Sequence, residues 1–130
     1  MIRRFLLPAL ICVPASVVVA DPSLECSLTT SSQVETADCL IEAEQAAESA
    51  LEMILGFATE SAQELDDVAG RAFAVPALEQ SQSAWATWRD AECKYAGSLF
   101  GGGSGTGIEI RSCRITLTRA RTQALLERFR

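Results

Sequence analysis

The stretch GSLFGGGSGTGIEIRSC, residues 97–113, sets five glycines into seven consecutive positions, Gly101 to Gly107, and ends on Cys113. It reads either as a cradle for phosphate or as the bend between two helices. A Walker-type loop needs a lysine and a hydroxyl residue directly after its last glycine, and here Ile108 and Glu109 follow Gly107. A dinucleotide fingerprint needs glycines at the first, third and sixth places after a strand, and no register of GGGSGTG supplies them. Lys94 is the chain's one lysine, so no second basic group completes a phosphate clamp. The bend fits better: a helix ending near Phe100 reverses through residues that tolerate any turn geometry, and the next helix packs back along it. Cys93 lies one or two turns before the bend and Cys113 one turn beyond it, so the two face each other across a helical hairpin.

Upstream, Leu40, Ala47, Leu51, Ile54, Ala58, Ala62 and Leu65 recur in steps of three and four, with Glu42, Glu44, Glu48 and Glu52 between them. The pattern predicts one long acidic helix with a single apolar stripe, stopping at Gly70 as a C-cap. A second helix starts at Pro76 or continues irregularly from Arg71, with Leu78, Ser81, Trp85, Trp88, Glu92, Tyr95 and Leu99 as its inward stripe. Within that stripe Glu92 requires a partner, because an unpaired inward charge is costly. Arg89, Arg119 and Arg121 are the cations in reach. Residues 108–129 form a third helix with Cys113, Leu117, Ala120, Ala124 and Leu125 inward. Only the short GIEIR resembles a strand. The expected class is all-α, a three-helix antiparallel arrangement in which the long acidic helix precedes the hairpin with its Gly-rich loop.

The first twenty residues read as an export signal. MIRR is a basic start, FLLPALICVPASVVVA is an apolar run broken by prolines, and Val18 and Ala20 are small residues ahead of a cleavage site. The run falls short of the ~20 residues a bilayer span needs. Cys12 and Cys26 follow Ile11 and Glu25, which disfavours lipid attachment. The expected mature chain, residues 21–130, is a single domain in the periplasm or secreted, free of the membrane after cleavage. It holds nine basic and seventeen acidic residues, a net charge of −8, which excludes nucleic acid as a natural partner. Residues 21–70 carry twelve acids and no base, whereas residues 71–130 carry nine bases and five acids. Such halves either pack on one another or offer an acidic surface to a cationic partner.

Four cysteines remain after cleavage: Cys26, Cys39, Cys93 and Cys113. In an oxidising compartment they read as two disulfides with three possible connectivities, of which the local pairs, Cys26 with Cys39 and Cys93 with Cys113, are preferred. A metal site is disfavoured by the absence of histidine and of any C-x-x-C pair, and no cofactor motif is present. The same inventory argues against an enzyme, since there is no Ser-His or Cys-His pair. Acidic pairs such as Glu60 with Glu64 or Asp66 with Asp67 are expected by chance in so acidic a segment.

The segment QSAWATWRDAECKYAGSLFGGGSGTGIEIRSCRITLTRARTQAL resembles the C-terminal part of the family named after the lysozyme inhibitor LprI. The likeness rests on Gln82, Trp85, Arg89, Asp90, Cys93, the run Gly101 to Gly107, Cys113, Leu117, Thr118 and Arg121, with Trp88 where the family commonly has tyrosine. Cys26 and Cys39 resemble the family's first cysteine pair, whereas EMILGF departs from the usual helix sequence. The resemblance implies an exported all-α domain with two disulfides and, in at least one branch, inhibition of lysozyme. Arg89, Asp90, Glu92, Thr118 and Arg121 are then expected to form a structural polar network between the second and third helices. The leading reading is a non-enzymatic binding module whose protein partner is a cationic lysozyme, with Ser104 and Thr106 of the glycine loop as contacts. The alternative is an envelope structural or accessory protein without lysozyme activity.

Overall fold

The computed structural model describes residues 20–129; apart from Ala20, the expected leader lies outside them. The chain is all-helical, with no strand among the described residues. Its elements are α1 (Pro22–Ser27), α2 (Gln33–Ala69), α3 (Ala74–Ser98), α4 (Gly105–Leu126) and a terminal 3-10 turn (Glu127–Phe129). At 1.5 Å per residue α2 is about 55 Å long and forms the spine. The hairpin of α3 and α4 lies along it, and α4 packs against α1, α2 and α3.

Each start and stop has a local cause. Asp21 caps α1 by accepting from the Ser23 N–H at 2.9 Å, and Pro22 occupies the first turn. Ser32 caps α2 by accepting from the Glu35 N–H, while the Glu35 carboxylate reaches back to the Ser31 N–H at 2.7 Å. That helix runs to Gly70, whose left-handed φ of 66° closes it as expected. The next helix has no cap of its own. Instead Asp66, 6% exposed, turns across the 70–73 link and accepts from the N–H groups of Phe73, Ala74 and Val75 at 2.7 to 3.1 Å.

The core is concentrated toward one end. Cys26, Leu40, Ala47 and Ile115 are buried together, with Cys39, Ala43 and Ile108 packed around them. Complete burial of Leu40 and Ile115 contributes about 1.5–3 kcal/mol each. Both disulfides join the local pairs, Cys26 to Cys39 and Cys93 to Cys113.

Several burial expectations are corrected. On α2, Leu65 is exposed and Asp66 takes the inward place, because capping α3 rotates the last turns' buried face. On α3 the inward face is Leu78, Gln82, Trp85, Arg89, Cys93 and Gly97, while Trp88, Glu92, Tyr95 and Leu99 face solvent. The disulfide at Cys93 fixes that rotation. On α4, Ala120 and Ala124 are exposed, and the buried positions are Ser112, Ile115, Thr118 and Leu125. Residues 108–118 of this helix are all at least half-covered, since three neighbours surround it, so a one-sided stripe was the wrong template. The structure also adds α1, ahead of the long acidic helix.

Candidate binding surface

The hairpin is as close as its sequence permits. A Cβ built on Gly97 would lie 2.4 Å from Ile110 Cγ1 and 3.2 Å from the Thr106 carbonyl oxygen, so glycine is required there. After α3 the chain turns in successive steps: the N–H groups of Phe100, Gly101 and Gly103 donate to the carbonyls of Gly97, Ser98 and Phe100. Gly101 and Gly102 hold φ of 64° and 78°, a conformation that favours glycine. Helix α4 already begins at Gly105, inside the glycine run. Ser104 is exposed on the bend, whereas the Thr106 hydroxyl is enclosed and has no hydrogen-bond partner.

Behind the bend lies a buried guanidinium. Arg89, 6% exposed, donates to Glu48 Oε1 at 2.5 Å, to Thr118 Oγ1 at 2.9 Å and to Asp90 Oδ1 at 3.2 Å. Its charge sits 5.0 Å above the Trp85 ring, which adds a cation–π contact to these hydrogen bonds. Arg121 approaches the same ring at 5.8 Å, but donates to Gln82 Oε1 and Ser81 Oγ at 3.1 Å each. The structure thus brings Arg89, Asp90 and Thr118 into one cluster and places Arg121 in a neighbouring one beyond Trp85. Glu92 stands apart from both clusters, exposed at the edge where α3 meets α4 near Thr116 and Leu117.

Carboxylates of α1 and α2 supply what sequence reasoning missed. Glu44 pairs with Arg111 and, at 3.1 Å, with Arg114, and Arg119 reaches both oxygens of Glu25. Glu44 and Glu48 stand one turn apart beside Ala47 and Leu51, so their position at the edge of the apolar stripe was a usable signal. Asp21 accepts from Ser112 Oγ at 2.8 Å, which docks α1 on α4. That hydroxyl bond, ahead of the opposing effect of partial burial, holds the Asp21 carboxyl below its usual range.

With those three glutamates turned toward arginines and Asp66 buried as the cap of α3, the remaining acids of α2 look outward. Glu35, Asp38, Glu42, Glu52, Glu60, Glu64 and Asp67 are all exposed. At 100° per residue they fall within an arc of roughly 120° opposite Leu40, Ala47 and Leu51, and they extend along about 48 Å of helix. The acidic half therefore does two things: one edge neutralises the hairpin, and the far face carries uncompensated negative charge.

The model of the family described as Lysozyme inhibitor LprI matches residues 25–125. A Rhizobium meliloti (strain 1021) protein named "Uncharacterized protein R02472" is 31% identical over 126 residues, covering 93% of this chain and 90% of that protein. No solved structure matches. The matched span takes in both disulfides, the glycine bend and the arginine clusters, and the chain belongs to the LprI lysozyme inhibitor family.

Proposed function

We propose that the mature chain, residues 21–130, is an exported, non-enzymatic binding module that inhibits a cationic lysozyme, and that the outer face of α2 is its docking surface. The observation that carries this reading is the acidic arc of seven exposed carboxylates on a helix that contains no base. Such a face attracts a positively charged enzyme and raises the rate of encounter. Family membership supports inhibition as the outcome, and two disulfides fit an oxidising compartment. The cluster around Arg89 is read as scaffold, because the guanidinium is buried and tied to Glu48, Asp90 and Thr118 within the protein. Ser104 is free to contribute a contact at the bend; the enclosed Thr106 hydroxyl is not.

A turbidity assay of cell-wall lysis by a c-type lysozyme tests this. The mature protein should inhibit at micromolar excess, more strongly at low than at moderate salt. Reversing three exposed charges, E42K, E52K and E60K, should weaken inhibition at least tenfold while the helical circular dichroism is retained. No inhibition in either salt, or full inhibition by the charge-reversed variant, would reject the proposed surface.

A further inference from the structure

At the end of the bundle away from the buried core, α2, α3 and α4 do not close on one another. Ala62 and Ala77 face the gap from α2 and α3, and side chains this small leave a groove of about 410 Å³. Its apolar walls are completed by Leu78 and Leu125, and two cations, Arg121 and Arg128, line it as well. A volume of this size lies within the ~300–1,000 Å³ usual for small-molecule pockets.

The two arginines are unlike the others of the hairpin. Arg89, Arg111, Arg114 and Arg119 each pair with a carboxylate. Among the described residues neither Arg121 nor Arg128 has a carboxylate within ion-pair distance, and Arg121 is held by the neutral Gln82 and Ser81. Asp66, beside the groove in sequence, is committed to three backbone N–H groups of α3. Burial, and next the nearby charge of Arg128, depress the affinity of Arg121 for its proton, and a negative group between the two would offset the repulsion between them.

We infer that this groove binds a single-chain anionic amphiphile, a fatty acid carboxylate, with its chain against Ala62, Ala77, Leu78 and Leu125 and its head on Arg121 and Arg128. Neither component alone explains the arrangement: an uncharged apolar ligand leaves the two guanidinium groups without a counter-charge, and a small anion leaves the apolar walls wet. The groove opens on the inner side of α2, away from the acidic arc, so occupancy is independent of the lysozyme reading.

The probe is dodecanoate below its micellar concentration, titrated into the disulfide-bonded mature protein by calorimetry and by tryptophan fluorescence, since Arg121 stacks on Trp85. Saturable one-to-one binding in the micromolar range is expected, with dodecanol at least tenfold weaker and acetate not bound. Two variants should each weaken dodecanoate at least tenfold with unchanged circular dichroism: R128Q, which removes an exposed charge, and A77W, which fills the groove from its exposed wall. Absence of saturable dodecanoate binding, equal binding of dodecanol, or full binding by A77W would overturn the inference. Binding to phosphatidylglycerol vesicles without binding of free dodecanoate would overturn it in favour of a membrane-surface contact.

Discussion

Glycine plays opposite parts at two positions of this chain. At Gly97 the missing side chain lets α3 and α4 touch, and an added methyl group would collide with the branched Ile110 and with a backbone oxygen. Gly97→Ala should therefore destabilise the fold by about 1–3 kcal/mol. Gly56, exposed within α2 and with nothing within 4 Å of a built Cβ, confers only backbone entropy on the unfolded chain, so Gly56→Ala should stabilise by about 0.5–1 kcal/mol. Urea denaturation of the two variants checks both signs, and a neutral Gly97→Ala would contradict the close approach. Asp66 makes a pH-dependent contribution. Burial raises the proton affinity of its carboxyl, but the three N–H donors outweigh burial and bring the net value below the ordinary 3.8. A folded value below the unfolded one gives stability that is present above about 3.8 and is lost as pH falls through the folded value. Asp66→Asn should thus lower the melting temperature at neutral pH, and the deficit should shrink as pH falls below 3.8. A deficit that stays constant across that range would show that the charge is irrelevant.

Among the elements, the hairpin was the most legible part of the sequence, because the glycine run, its flanking cysteines and the absence of strand patterning all agree. The end of α2 was equally plain, since Gly70 alone can close it cheaply. The facing of α3 was misjudged for a physical reason. Trp88, Tyr95 and Leu99 look like core by hydropathy, yet Cys93 must face α4 to form its bond, and that demand rotates the aromatic residues outward. Arg89 then occupies a core position that periodicity reserves for apolar side chains. Short α1 was missed although Asp21 followed by Pro22 is a helix-start signature, because six residues cannot show a hydrophobic period. Removing the bond between α3 and α4 with C93S and C113S together should cost about 2–5 kcal/mol. Thermal melts of oxidised protein test this, and an unchanged melting temperature would mean that packing at Gly97 alone holds the hairpin.

For the whole molecule, the strong charge contrast between halves announced a choice between internal pairing and an open acidic face, and the structure shows internal pairs along one edge of α2 and exposed carboxylates on the other. Glu25, Glu44 and Glu48 meet the hairpin's arginines and Asp66 caps α3, while the other seven acids of α2 remain outside. Composition could show the imbalance but could not divide it, because the division depends on the angle at which α2 meets α4. The candidate site was legible only in part for the same reason. Arg89, Asp90 and Thr118 were named from their motif, but their partner Glu48 lies 41 residues from Arg89 in the chain. The groove between α2, α3 and α4 left no mark in sequence, being made of alanines that pass for ordinary helix formers.

Both cystine bridges and the densest packing sit at one end, near Leu40 and Ile115, whereas the 70–73 link and the final turn of α4 share the other. The protein is built like a clothes-peg, clamped at the jaw by sulfur, with α4 as the handle that has no covalent tie at the far end. The far tip of α4 carries no covalent tie to the joined ends of α2 and α3, so a guest there need only part small side chains, leaving the clamp shut.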